Sequence, residues 1–267
     1  MRKIGIDAGG TLTKVAYQEN GHMHVKTFSN QKQEEILQWL QLFTPDARFC
    51  LTGGRSASLQ GNLQQKIVQI DEFQAIAEGT KHLLHEEKAT YPDEFILVSI
   101  GTGTSIFHVN SERSDRLFGS GIGGGTWMGL GILLTGKDDF RKLVRLAGEG
   151  DSAKGDLLVK DIYQAQEAPL LGELTAANFG KAADNREVTS ADSMASLARM
   201  IGETIMLLAS QAAAKQQVEK IVFAGSTLDG NRPLRDVLNG FREMLPYEPI
   251  FLEKGAYAGA IGALLEG

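Results

Sequence analysis

Cysteine is nearly absent from this sequence of 267 residues, which contains only Cys50. A single cysteine cannot form an internal disulfide framework, and such usage is typical of a reducing compartment. Because Cys50 lies in an apolar stretch, we expect a buried, unreactive thiol. No apolar run is long enough to span a bilayer, and the first residues lead into a predicted strand instead of a signal peptide. We therefore expect a cytoplasmic protein.

Blocks of positive charge are also missing. The 27 lysine and arginine residues are outnumbered by 33 acidic residues, which gives a formal net charge of −6. An acidic chain without a basic block binds nucleic acid and membrane surfaces poorly, so we expect neither as a partner.

Glycine, by contrast, is abundant. The sequence has 31 glycines, well above the average of roughly 7% in proteins, and they cluster at the ends of apolar runs. Glycine allows positive φ and a close approach of the backbone to a ligand. Glycine clusters that follow strands therefore indicate phosphate binding.

Apolar patterns alternate between strands and helices, which predicts an α/β fold. The second half of the chain repeats the opening pattern of strand, Gly/Thr turn and strand, which indicates an internal duplication of architecture. A polar stretch marks the expected lobe boundary, so the predicted lobes are 1–93 and 94–267. The predicted strands are 3–6, 12–17, 23–28, 48–51, 68–70, 95–100, 106–109, 221–224 and 250–252, and the predicted helices are 31–43, 72–86, 138–146, 192–215, 233–244 and 255–265.

The segment after the first strand carries the strongest chemical signal. A hairpin with glycines at its tip presents backbone N–H groups to an anion, and its threonines and lysine add donors. Asp7 ends the strand, where it can hold Mg²⁺ directly or through water. An ordinary glycine hairpin is the alternative, and the spacing of a Walker A loop is absent. The predicted phosphate-binding residues are Asp7, Ala8, Gly9, Gly10, Thr11, Leu12, Thr13 and Lys14.

Three further segments resemble ligand-binding turns. GTGTS at 101–105 mirrors the first hairpin, and two facing hairpins can clamp a polyphosphate. The glycine cluster at 119–126 opens a helix, whose N-terminus attracts anions. It contains G-x-G-x-x-G but lies mid-chain, outside the context of a Rossmann fold. The strand end FAGST at 223–227 is suited to an adenine ring, although each of these turns can also be purely structural.

Taken in order, these segments resemble the actin/Hsp70/hexokinase superfamily and, within it, the type II pantothenate kinases of bacteria. The matching stretches are IGIDAGGTLTK, CLTGG at 50–54, DEFQA at 71–75, SIGTGTS at 99–105, GIGGG at 121–125, LTAANFG at 174–180, FAGS at 223–226 and GAYAGAIGAL at 255–264. The resemblance implies two ribonuclease-H-like lobes with a nucleotide cleft between them. It also implies ATP and Mg²⁺ as cofactors, pantothenate as the acceptor and a homodimer.

The resemblance also assigns roles to single residues. Glu72 corresponds to the general base, Arg116 to the substrate-binding arginine, and Thr102 to a hydroxyl that contacts substrate and nucleotide. The sequence leaves Asp71 open as an alternative base and Arg113 as an alternative cation. The nucleotide segment corresponds to Gly124, Gly125, Thr126, Trp127, Met128, Phe140 and Ser226. The glycine cluster and the TWM that follows it depart from the family pattern, which puts side-chain contacts to adenine there in doubt.

Two other functions fit the same motifs. A sugar kinase of this fold, for example one acting on N-acetylglucosamine, typically has an aspartate base and often a zinc cluster, and neither is visible here. A non-catalytic ATP-switched binding protein is the second. The dehydratase activators of this kind carry an iron–sulfur cluster, which one cysteine cannot ligate. The predicted helix 192–215 has an apolar face suited to core packing or to a dimer contact.

Overall fold

The computed structural model describes residues 2–43, 46–63, 66–88, 90–163, 172–183, 187–243 and 246–267. The strands are β1 Lys3–Ala8, β2 Leu12–Glu19, β3 His22–Ser29, β4 Arg48–Thr52, β5 Lys66–Gln69, β6 Phe95–Ile100, β7 Thr104–Val109, β8 Ser114–Ser120, β9 Leu157–Leu158, β10 Thr175–Ala177, β11 Lys220–Ala224 and β12 Glu248–Phe251. The helices are α1 Gln33–Phe43, α2 Ser56–Gln60, α3 Glu72–Glu87, α4 Gly124–Thr135, α5 Phe140–Glu149, α6 Ser152–Gly155, α7 Val159–Ile162, α8 Ser190–Gln216, α9 Arg232–Gly240 and α10 Ala258–Glu266. Each predicted strand and helix is found, with ends shifted by a few residues.

Two five-stranded sheets share one topology. Their strand orders are β3-β2-β1-β4-β5 and, read in the same sense, β8-β7-β6-β11-β12. In each sheet the first three strands along the chain pair antiparallel, and the last two run parallel to the first. The predicted duplication of architecture is confirmed.

The sequence pattern did not predict β8. Its residues, SDRLFGS, are mostly exposed or half-buried, because β8 is an edge strand of the second sheet. Edge strands do not need the apolar alternation that identifies a strand in a sequence. This omission matters, because β8 carries Arg116.

The described chain divides into two compact units. The first contains both large sheets and consists of 1–120, 212–229 and 247–267, and the second consists of 121–211 and 230–246. The lobe boundary at 93/94, which falls between the two sheets in sequence, stays a prediction. None of the helices in the described part of the chain is long and apolar enough to cross a membrane.

Helix α10 packs closely against the backbone of its neighbours within the first unit. A Cβ atom added at Gly5 of β1 would collide with the Ala260 carbonyl oxygen, and one added at Gly79 of α3 would collide with that of Ala258. Glycine is therefore needed on both elements where α10 approaches. The same helix brings Gly259 beside the end of β1.

The apolar face of α8 is occupied within the chain. Met194, Leu197, Ile201 and Ile205 are fully buried. Core packing therefore accounts for this face, and the homodimer rests on the family resemblance alone. Cys50 is also fully buried, and burial raises the pKa of its thiol, which agrees with the expected unreactive role.

Candidate functional site

The two predicted phosphate hairpins lie side by side in the first unit. Thr11 Oγ1 and Thr102 Oγ1, one from each hairpin, are 3.3 Å apart. A Cβ atom added at Gly10 would lie 2.9 Å from Thr102 Oγ1, so glycine is what permits this approach. The two hairpin tips are therefore close enough to face a single ligand.

The first hairpin leaves two amides for a ligand. Gly9 N closes the turn by donating to Leu12 O at 3.1 Å. The N–H groups of Gly10 and Thr11, both exposed, donate to no other residue in the described chain. Successive free amides at a hairpin tip form an anion-binding concavity.

The second hairpin is built in the same way. Gly101 N donates to Gly103 O at 2.9 Å, whereas the amides of Thr102 and Gly103 have no acceptor among the described residues. Thr227 Oγ1 donates to Gly101 O at 2.8 Å and so holds this hairpin from the adjacent strand end.

That strand end carries Ser226. Gly225 has φ +107°, and a Cβ atom there would collide with the Ile100 carbonyl oxygen, so only glycine fits at this turn. The predicted adenosine segment therefore lies directly beside the end of β6.

The hydroxyl of Thr13 was expected to donate to an anion, but it is used within the protein. Its Oγ1 donates to Asn30 Oδ1 at 2.8 Å, and Asn30 Nδ2 in turn donates to Gly9 O at 2.9 Å. Asn30 N also donates to Thr11 O at 3.2 Å. Thr13 and Asn30 thus support the hairpin from behind. Sequence reasoning missed Asn30, because a polar residue at a strand end gives no signal of its own.

Asp7 and Lys14 form a largely buried ion pair. They are directly opposite each other in the β1–β2 ladder, which places both side chains on one face, and Lys14 Nζ lies 3.6 Å from Asp7 Oδ2. Burial raises the pKa of Asp7, and the Lys14 ammonium offsets part of that increase. A desolvated carboxylate with one cation beside it is stabilised by further positive charge.

The surroundings of Asp7 suit a magnesium ion that reaches it with its water shell. Cβ atoms added at Gly53 and Gly259 would lie 2.7 Å from Asp7 Oδ1 and 3.0 Å from Oδ2, so glycine on both sides leaves space at the carboxylate that a side chain would fill. Mg²⁺ usually takes one or two carboxylates, phosphate oxygens and several waters. No group of three or more histidine, cysteine or acidic side chains suited to a metal occurs in the described ranges. The residues present fit Mg²⁺ held mainly by a nucleotide.

Arg55 is a cation that the sequence prediction missed. Its backbone N donates to Ala8 O at 2.9 Å, and its guanidinium Nη1 lies 3.5 Å from Gly10 O. The side chain is exposed and forms no ion pair within the described chain. The Gly-Gly pair that precedes it, after an apolar strand, was the available signal.

The start of α3 separates the two candidate bases. Asp71 Oδ1 accepts hydrogen bonds from Phe73 N and Gln74 N, at 3.0 and 2.9 Å, and so caps the helix. The half-buried Glu72 carboxylate, the next residue, has no hydrogen-bond partner in the part of the chain described. Burial raises the pKa of Glu72, and the charges of Asp7 and Asp71 raise it further, while Lys14 and Arg116 lower it. These charges place Glu72 in the same cluster as the first hairpin.

Arg116 also belongs to this cluster, whereas Arg113 does not fit as well. Arg113 Nε pairs with Asp115 Oδ2 at 3.0 Å on the surface. The Arg116 guanidinium lies over the Phe73 ring, 5.0 Å from its centroid. The structure thus favours Arg116 as the cation next to Glu72.

The remaining predicted nucleotide residues belong to the second unit. Gly124–Met128 form the first turn and a half of α4, and Phe140 begins α5. The Trp127 ring is fully buried, 6.2 Å from the ring of Phe140, and its Nε1 has no partner in the described residues. Trp127 is therefore a core side chain, and a role for it in nucleotide binding rests on its backbone.

Comparison with known proteins decides the family. A family model described as Fumble matches residues 19–266. A relative from Oceanobacillus iheyensis, named type II pantothenate kinase, is 48% identical over 266 residues, which is 99% of each chain. The chain belongs to the type II pantothenate kinase family. A second member, from Bacillus cereus strain G9842, is 41% identical to it over 99% of this chain and 98% of that one.

Solved structures from other families share the fold of this type II pantothenate kinase family member. Component A of (R)-2-hydroxyglutaryl-CoA dehydratase from Acidaminococcus fermentans matches with a TM-score of 0.66 at 16% identity, over 100% of this chain and 97% of that one. A ROK family glucokinase from Streptomyces griseus matches with a TM-score of 0.57 at 15% identity, over 100% of this chain and 99% of that one. Likeness at this identity shows the fold alone. The predicted α/β fold of the actin/Hsp70/sugar-kinase superfamily is confirmed.

Proposed function

We propose that this kinase transfers the γ-phosphoryl group of ATP to the primary hydroxyl of pantothenate. The product is 4'-phosphopantothenate, and the reaction opens coenzyme A synthesis. One observation carries the proposal at the site. Two glycine-tipped hairpins touch at Thr11 and Thr102, beside the Glu72 carboxylate and the Arg116 guanidinium, neither of which forms an ion pair among the described residues. The names and full-length coverage of the relatives support pantothenate over a sugar as the acceptor.

The hairpins bind the triphosphate in this proposal. Four backbone amides, two from each tip, donate to phosphate oxygens, and the hydroxyls of Thr11 and Thr102 add to them. Lys14 and Arg55 supply positive charge, of which Arg55 is the more accessible. Phosphoryl transfer depends mainly on positioning and charge stabilisation of this kind.

Asp7 would hold Mg²⁺, directly or through water. When bound, the ion would neutralise negative charge on the phosphates of ATP. Ser226, Phe140 and Gly124–Met128 would contact the nucleoside. Lobes 1–93 and 94–267 would form the cleft around it, in a cytoplasmic homodimer.

The acceptor lies between Glu72 and Arg116. Glu72 orients the hydroxyl and takes its proton as the phosphoryl group transfers. The Arg116 guanidinium pairs with the carboxylate of pantothenate in a bidentate geometry. Pantothenate has a primary hydroxyl at one end and a carboxylate at the other. Glu72 suits the hydroxyl as a base, and Arg116 suits the carboxylate as a cation.

An acceptor assay tests the proposal. ADP release is measured with ATP and Mg²⁺ alone, with pantothenate, and with a panel of sugars that includes N-acetylglucosamine. We expect stimulation by pantothenate only. Stimulation by a sugar alone would support the sugar-kinase alternative, and ATP binding without any acceptor-dependent release would support an ATP-switched binding protein.

The pH profile of kcat/KM tests the assignment of Glu72. The base acts in its ionised form, so a pKa raised by burial and by Asp7 and Asp71 moves the acid limb above that of an ordinary glutamate. Asp71→Asn keeps an acceptor for the helix cap but removes one of the raising charges. We expect the acid limb to shift to lower pH.

The control for this shift is Glu78→Gln. It removes a charge from the same helix, six residues further along α3, at a residue that pairs with Lys81. An acid limb that stays in place in Asp71→Asn, or that moves equally in Glu78→Gln, argues against Glu72 as the titrating group.

A further inference from the structure

Arg116 is held by an aromatic ring and not by a carboxylate. Its Cζ atom lies 5.0 Å from the centroid of Phe73, and it forms no ion pair within the described chain. Phe73 directly follows Glu72, and its side chain is 39% exposed. A guanidinium over an aromatic face is attracted to the ring quadrupole, which restricts an otherwise mobile side chain.

The Phe73 ring packs against a buried aromatic ring of the core. Its ring centroid lies 5.7 Å from that of Phe107, and Phe107 is fully buried in β7. The side chains of Phe107, Phe73 and Arg116 therefore pack one on the next from the core to the surface. The position of the guanidinium follows from the packing of the core.

A β-bulge places Arg116 on the face of the sheet that carries Phe107. Ile106 pairs with Phe118, but Phe107 pairs with Arg116, so Leu117 is an extra residue in β8. Directly paired residues of antiparallel strands point to the same face. Arg116 therefore shares a face with Phe107, whereas an unbroken register would put Leu117 there.

Gly119 leaves room for the guanidinium. It pairs with Ser105, two residues before Phe107, and so lies on the same face as Arg116. A Cβ atom added at Gly119 would collide with Arg116 Nη2. The guanidinium thus lies between the Phe73 ring and the backbone of its own strand.

We propose that Phe73 is a positioning residue that holds Arg116 ready for the carboxylate of the acceptor. This inference rests on the proposed function. A pre-positioned arginine loses less rotamer freedom when the substrate binds, so the effect of Phe73 falls on acceptor binding. The Leu117 bulge and Gly119 complete the same arrangement.

Kinetics of Phe73→Leu test the inference. Leucine keeps an apolar side chain of similar bulk without the ring face, and we expect KM for pantothenate to rise roughly two- to fivefold. KM for ATP stays within error, and kcat changes less than KM for pantothenate. Phe73→Trp, which has a stronger ring face, is expected to keep the wild-type KM or lower it.

A double-mutant cycle separates positioning from direct contact. In the Arg116→Ala background, Phe73→Leu should change KM for pantothenate no further, because Phe73 acts through Arg116. The same holds for a pantothenate analogue whose carboxylate is replaced by an alcohol. An equal rise in both backgrounds, or no rise in Phe73→Leu alone, overturns the inference.

A spectroscopic arm works without any acceptor. The Nε–H resonance of Arg116, assigned by its disappearance in Arg116→Lys, should carry a ring-current shift that is lost in Phe73→Leu. A resonance that does not move overturns the inference whatever the substrate is. Failure of the wild type to use pantothenate, with this shift present, instead refutes the proposed function and leaves the positioning of Arg116 supported.

Discussion

Glu72→Gln loses pantothenate-dependent ADP release by about 10²- to 10⁴-fold, which is the range for removal of a general base. Glutamine has the same shape but cannot accept the proton of the attacking hydroxyl. The hairpin amides and Arg55 are untouched, so affinity for ATP is retained. Steady-state ADP release and equilibrium ATP binding, measured on the same preparation, check both parts.

Glu78→Gln is the matched control for this loss. It makes the same chemical change on the same helix at a half-buried residue that pairs with Lys81. We expect its turnover to stay near that of the wild type. Normal turnover by Glu72→Gln would show that the base assignment is wrong, even though the family assignment would stand.

Gly79→Ala destabilises the fold severely. The added methyl group would collide with the Ala258 carbonyl oxygen, so helices α3 and α10 must move apart. Overpacking costs roughly 1–3 kcal/mol or more, which exceeds the ~1 kcal/mol that alanine gains over glycine in a helix. Because α10 also carries Gly259 beside Asp7, we expect a lower unfolding temperature by circular dichroism together with a loss of activity.

Gly129→Ala gives the opposite sign from the same substitution. Gly129 lies in the interior of α4, is exposed, and has nothing within 4 Å of an added Cβ atom. There only the helix preference acts, so we expect stabilisation of about 0.5–1 kcal/mol. If both variants shifted stability in the same direction, the contact between α3 and α10 would not be the cause.

Short-range sequence patterns were enough to predict much of the candidate site. The glycine-tipped hairpins, the strand that carries Asp7 near its end and the position of Glu72 at the start of α3 were all predicted from the sequence. A hairpin and a helix start depend on residues within a few positions of one another, and glycine at a tip reports on backbone conformation directly. The family resemblance assigned chemical roles to these residues.

Other parts of the site depend on partners far along the chain. Asn30 supports the first hairpin across 21 residues, and Arg55 reaches Gly10 across 45. The polar edge strand β8 lacks an apolar pattern, so neither the strand nor the bulge at Leu117 could be predicted. The choice between Asp71 and Glu72 needed the helix cap to be seen, because both carboxylates have the same local sequence environment.

The sequence by itself determined the α/β class, the order of the strands and helices that it predicted and the two glycine-tipped hairpins, since these follow from periodicity and from glycine in tight turns. Tertiary structure alone decided that the hairpins touch, which face Arg116 occupies and where α10 needs glycine. Strand register and helix approach are set by packing between distant segments, and no short stretch of sequence encodes them. A one-residue bulge is enough to move a functional side chain from one face of a sheet to the other.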